Sequence, residues 1–243
     1  MTPEQRLADV FVALAGSTTD SPLGISRTLT ILAARSPALL GARAAAVVYT
    51  PAEHEPVQVA GSEPEVHRLE HDAAGWREGP GHDCRRARTA PAQAPLAGRP
   101  ATQRWPHYAP RALGLGYRSV VALPLREHTR TIGALVLLSG QSIVSADMLA
   151  LGQSLADFTA VTLQRAREAD HSRTLTSQLE LALTSRVIIE QAKGVLATRL
   201  STTMDEAFVR LRNHARSHRR LVSDVAREVV EGRADNSLTD PTR

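Results

Sequence analysis

The sequence predicts an α+β domain, with a central antiparallel sheet flanked by helices, joined by a long helix to an all-α domain of three helices. Three observations predict it. Helix and strand signals alternate through the first part of the chain, no Pro or Gly occurs between Gly152 and Gly194, and the last fifth holds three apolar-striped segments separated by short polar turns. In the first part, "ISRTLTILAARSPALLGAR" sets Leu29, Leu32, Ala33, Leu39 and Leu40 at helical spacing, and Gly41 closes the helix. "AAAVVYT" (44–50) and "PVQVAGS" (56–62) read as a hairpin across a polar turn at 53–55. "YRSVVALPL" (117–125) and "TIGALVLLSG" (131–140) read as two strands around "REHTR". Residues 62–116 are dense in Gly, Pro and Arg, and only two short helices are predicted there, His82–Arg88 and Tyr108–Leu113.

Ser145 is the expected N-cap of the long helix, with Asp147 in its first turn. Leu151, Leu155, Phe158 and Val161 line one face of it and Leu175, Leu179 and Ala182 a second stretch; the polar "RAREADHSRT" between them interrupts a coiled-coil seam. A signalling helix and a dimer seam both fit. The first of the three C-terminal helices runs into Leu200, with Val187, Ile188, Ala192, Val195 and Leu196 as core positions. The second opens on a capping box, Thr203 with Glu206, and stripes Met204, Ala207, Phe208, Leu211 and Ala215. The third, about 221–231, buries Leu221, Val225, Ala226 and Val229 and stops at Gly232; the remainder, 233–243, reads as a disordered tail.

Charge is unevenly placed. Between Thr184 and Arg233 ten basic residues face six acidic ones, an excess equal to the net charge of the whole chain, +4. A polyanion partner for this segment and a plain solvated face are both compatible with that. Of 29 basic residues only one is a lysine, Lys193, beside Gly194 in the middle of a helix. A helical glycine costs about 1 kcal/mol relative to alanine, so it should bring a compensating gain such as close approach of a helix or of a ligand. The single cysteine, Cys84, excludes an internal disulfide framework and a Cys-based zinc site and fits a reducing cytoplasm. The N-terminus lacks a secretory-leader pattern and no run of about 18 apolar residues occurs.

"SRVIIEQAKGVL", "DEAFVRLRNHA" and "LVSDVAREVV" together resemble an ANTAR domain, the three-helix RNA-binding module of bacterial transcription antiterminators, over about 175–232. The pattern is met at Arg186, Ile189, Ala192, Lys193, Gly194, Ala207, Leu211, Ala215, Leu221 and Ala226, and departs from the family at Ala197 and in the turn "SHRR". "LLGARAAAVV", "GPGHDC", "RWPHYAPRALGLGYRSVVALPLR" and "TIGALVLL", in that order, resemble a GAF domain of the kind fused to ANTAR in actinobacteria, over about 20–160. Where those relatives read Gly-Pro-Cys, this chain has Gly79-Pro80-Gly81 and carries Cys84 instead. The expected organisation is therefore an N-terminal helix or extension (1–19), a sensor domain (20–160), a linking helix with coiled-coil potential (145–185), the RNA-binding domain (175–232) and the tail (233–243).

The resemblance implies a non-enzymatic regulator that binds RNA hairpins in mRNA leaders to favour antitermination. An unknown small-molecule or protein signal in the sensor, shifting the linking helix or a homodimer contact, is the expected route to the RNA-binding part. Candidate RNA contacts are Arg186, Lys193, Gly194, Arg210, Arg212, Arg216, Arg219 and Arg220, since guanidinium and ammonium groups suit phosphates and exposed loop bases. A DNA-binding output, or an enzyme acting on a small nucleotide in the sensor pocket, are the alternatives. No cofactor, metal or catalytic set is expected. "HRLEH" (67–71) formally matches His-x-x-Glu-His, but the following Gly75, Gly79 and Pro80 predict a short or irregular element there, unsuited to zinc. Cys84 among Arg85, Arg86 and Arg88 is either a structural thiol or a reactive one.

Overall fold

The computed structural model describes residues 2–17, 24–52, 55–86, 93–140 and 144–239. Contacts divide the chain into two units, Met1–Asp170 and His171–Arg243.

The first unit is built on a five-stranded sheet in the order β2-β1-β5-β4-β3 with every neighbouring pair antiparallel: β1 (Ala44–Tyr49), β2 (Gln58–Gly61), β3 (Ala94–Pro95), β4 (Ser119–Glu127) and β5 (Arg130–Ser139). Side chains alternate along a strand, so β1, β4 and β5 feed two cores. Ala45, Val47, Tyr49, Leu123, Leu135 and Leu137 face α1 (Pro3–Gly16), α2 (Gly24–Leu40) and the start of α7 (Ala146–Leu200). Ala46, Val48, Ala122, Val136 and Leu138 face α3 (Pro64–Trp76), α5 (Arg99–Arg104) and α6 (Tyr108–Gly114). Burial on both faces is why these strands read as continuous apolar runs. Both expected hairpins form, and the β4–β5 turn is tighter than "REHTR" suggests: only His128 and Thr129 lie outside the strands, with His128 at φ +54°. Helix α2 ends at Gly41, whose φ of +65° favours glycine.

The largest difference from expectation lies in 62–116. A 13-residue helix, α3, occupies the segment read as short or irregular, because Pro64 sits in its first turn and Gly79 and Pro80 fall beyond its left-handed end at Arg77 (φ +58°). Proline and glycine here bound a helix rather than break one. Helix α4 (Pro80–Arg86) begins two residues before the expected start; Ala87 and Arg88 lie outside the described residues. Glu70 of α3 is 2% exposed, and the Tyr108 hydroxyl of α6 donates to its Oε1 at 2.7 Å. Burial pushes the Glu70 carboxyl up to about 7, against the opposing effect of that bond.

The second unit packs the C-terminal part of α7 with α8 (Met204–Ser217), α9 (Val222–Val230) and α10 (Asn236–Thr239). Its core is Ala192, Leu196, Ala207, Leu211, Ala215, Val225, Ala226, Val229 and Leu238. Three expected core residues are instead exposed: Val187, Met204, and Leu221, which is the N-cap of α9. Val161, expected on the buried face of α7, is exposed as well. Within the segment read as a disordered tail, α10 forms one helical turn and buries Leu238, an apolar anchor that the polar surroundings of the tail conceal; residues 240–243 lie outside the described residues.

A Cβ at Gly133 would stand 2.4 Å from the Val48 carbonyl oxygen, whereas one at Gly75 would meet no heavy atom within 4 Å. Gly133→Ala should lower stability by about 1–3 kcal/mol, and Gly75→Ala should raise it by about 0.5–1 kcal/mol, both read from denaturant midpoints. Glu70 binds its proton more tightly folded than unfolded, so its contribution is intact below its ordinary value of 4.5 and is lost as pH rises toward about 7. That loss amounts to about 3 kcal/mol. The stability of Glu70→Gln relative to wild type should therefore rise from pH 4.5 to pH 8; parallel curves would show that burial does not perturb this carboxyl.

Candidate functional site

The lone lysine is sheltered. Lys193 Nζ donates to both carboxylate oxygens of Glu190, each at 3.0 Å, and lies 5.5 Å from the centroid of the Phe208 ring on α8. Its side chain is 14% exposed, against 53% for Glu190. An i, i+3 acid explains one contact and is visible in the sequence. Phe208 becomes a neighbour only when α8 packs on α7. Gly194 has nothing within 4 Å of where a Cβ would stand, which removes close helix packing as its reason and leaves open space at the surface.

Helix α8 begins with the expected capping box: Thr203 Oγ1 accepts from Glu206 N at 3.2 Å while Glu206 Oε2 accepts from Thr203 N at 3.0 Å. Hydrogen bonds from the Thr202 hydroxyl, then from Thr203, pull the Glu206 carboxyl down to about 2. Beyond Phe208, Arg212 and Arg216 follow one and two turns on, both exposed. Arg219, in the α8–α9 turn, has φ +52°, a conformation that costs an L side chain about 1–2 kcal/mol.

Apart from Gly194, which has no side chain, the eight candidate residues fall into two groups. Arg186, Arg212, Arg216 and Arg219 are exposed and, among the described residues, enter no ion pair. Arg199, not singled out by the sequence reasoning, shares that state. The others are engaged: Lys193 as above, Arg210 donating to the Ser237 carbonyl at 3.2 Å, and Arg220 donating to both oxygens of Glu228 at 2.8 and 2.6 Å. His214 and His218 stack at 4.2 Å, and burial, then the neighbouring His218, lowers the His214 pKa.

In the first unit, Glu70, Glu78, His82 and Arg85 line a cavity of about 30 Å³ together with Val48 and Val57, room for about one water. Arg85 Nη1 donates to Thr50 Oγ1 at 3.2 Å. "HRLEH" does lie on a regular helix, but its side chains diverge: His67 and His71 are exposed while Glu70 turns inward to Tyr108. Among the described residues no group of three or more His, Cys, Asp or Glu could hold a metal ion. Burial pushes the Cys84 thiol up to about 11, outweighing Arg126, which favours the structural-thiol alternative. No helix among the described residues is long and apolar enough to cross a membrane.

Comparison with known proteins gives two family matches, the GAF domain over residues 25–163 and the ANTAR domain over 177–230. No curated protein matches the chain. Similar solved structures include the N-acylhomoserine lactone-dependent LuxR family transcription factor CepR2 from Burkholderia cenocepacia, at 16% identity and TM-score 0.48, covering 67% of this chain and 93% of that one. The GAF domain of an Acinetobacter phosphoenolpyruvate-protein phosphotransferase matches at 13% identity and TM-score 0.47, covering 68% and 97%. The GAF-B domain of DevS from Mycobacterium smegmatis matches at 23% identity and TM-score 0.42, covering 61% and 98%. GAF and ANTAR domains are non-catalytic sensory and regulatory modules, and their combination is consistent with signal-responsive regulation of transcription through RNA. With its GAF match spanning more than half of the 243 residues, the chain belongs to the GAF domain family and carries an ANTAR domain toward its C-terminal end.

Proposed function

We propose that this protein binds hairpins in nascent mRNA through its ANTAR domain and thereby favours transcription antitermination, with the GAF domain setting when it does so. The observation that carries the reading is the set of exposed arginines without an ion pair among the described residues, Arg186, Arg212, Arg216 and Arg219, in the domain that matches ANTAR. Guanidinium groups without an internal carboxylate are available to phosphates and to the faces of splayed loop bases. Phe208, the only aromatic of the segment, is half-buried under Lys193 and offers no stacking platform. Recognition then rests on arginines and loop shape, which favours hairpins over long single strands.

A homodimer is part of the proposal. On α7, Leu175, Leu179, Leu183 and Val187 recur every fourth residue and are 46%, 65%, 63% and 57% exposed, a stripe that a second copy of the chain would cover. Pairing would present two RNA-binding domains to two hairpins at once, raising affinity through effective concentration.

The test is a titration of full-length protein with a small-loop hairpin-pair RNA, a scrambled single strand and duplex DNA at two salt concentrations. Hairpin RNA should bind best. Arg212→Ala and Arg216→Ala should each weaken binding roughly tenfold and reduce the salt slope by about one. Gly194→Ala should raise stability by about 0.5–1 kcal/mol yet weaken RNA binding, since open space there is useful only to a partner. A preference for duplex DNA would overturn the RNA reading. Separately, Leu175→Asp with Leu179→Asp should shift the protein to monomer in sedimentation and weaken hairpin-pair binding; an unchanged oligomeric state would exclude this stripe as the seam.

A further inference from the structure

Resting on the RNA-binding reading, we propose that Glu190 is a selectivity residue of the interface: an internal anion that occupies Lys193 until a well-placed RNA phosphate displaces it. Arg186, Glu190 and Lys193 stand at i, i+4 and i+7 on α7, one face of the helix. At 1.5 Å per residue the two cations are about 10 Å apart along the axis, and the one acid of the set stands between them. A phosphate backbone that reaches both meets the Glu190 carboxylate on the way.

The geometry around Lys193 is that of a filled anion site. Two carboxylate oxygens at 3.0 Å take the positions that two phosphate oxygens would take, and the Phe208 ring lies 5.5 Å from the ammonium as a further neighbour. With 14% of its side chain exposed, Lys193 has little room to swing toward a loosely placed ligand. Exchange therefore requires a phosphate delivered at the carboxylate's own position, which a folded hairpin can do and a flexible strand does only at an entropic cost. Stability is a weak reason for the pair, because its acid is 53% exposed and ion pairs screened by solvent contribute little to folding. An acid placed among cations disfavours weakly fitting polyanions more than fitting ones, which is how selectivity is gained at the expense of affinity.

The test uses the full chain, with wild type, Glu190→Gln, Lys193→Met and the double variant titrated against the same hairpin-pair RNA and scrambled strand. Methionine keeps an unbranched side chain over Phe208 while removing the charge, and Glu190 is exposed enough for glutamine to leave the fold intact. Glu190→Gln should tighten the scrambled strand by about two- to fivefold and the hairpin pair by less, so that discrimination falls. In the Lys193→Met background the glutamine should bring no gain. Unchanged or weaker binding by Glu190→Gln would overturn the proposal, as would an equal gain with Lys193→Met, which would mean general repulsion without a held lysine. Absence of RNA binding by every variant would instead overturn the RNA reading, and this inference with it.

Discussion

The structure depends on one unbroken helix. Helix α7 gives Leu155, Ala156, Ala160 and Leu163 to one core of the first unit and Ala192 and Leu196 to the core of the second. Each set must be helical for its own core to close, and the residues between them, 171–184, are exposed throughout. That middle stretch contributes no burial of its own, so its helicity rests on propensity and on the packed ends. The absence of Pro and Gly from 153 to 193 is the sequence counterpart of this demand.

The sheet imposes the second constraint. Because β1, β4 and β5 are covered on both faces, helices must approach closely on each side. Small residues allow this: Ala44, Ala45 and Ala46 in β1 are wholly buried, and a Cβ on Gly81 of α4 would stand 3.3 Å from Val48 Cγ2. The space left on the α3 side of the sheet holds a buried Glu70–Tyr108 pair and a cavity of about 30 Å³.

The fold was legible where periodicity and termination coincide. Helix α2 shows both, in its leucine spacing and at Gly41, and the doubly covered strands announce themselves as apolar runs. Helix α3 was illegible because its inward face carries Glu70, a charged residue at a core position, and because the Gly79 and Pro80 that end it look like breakers within it. For the proposed interface, spacing along the chain singled out the basic residues of α7 and α8 as candidates. It could not tell engaged from open ones, since the partners of Arg220 and Arg210 lie 8 and 27 residues away in sequence and Phe208 reaches Lys193 only across a helix pair. Val187 and Leu221 show the converse limit: periodicity marks an apolar residue without saying whether anything covers it.

A chain with a single lysine has a single ε-amine, and here that amine is held by a carboxylate and lies over an aromatic face. Amine-directed chemistry on side chains, whether by a labelling reagent or by an acyl donor, has one place to act. Its rate there reads out how often Glu190 and Phe208 let go, so the protein carries its own reporter for the opening of one helix pair.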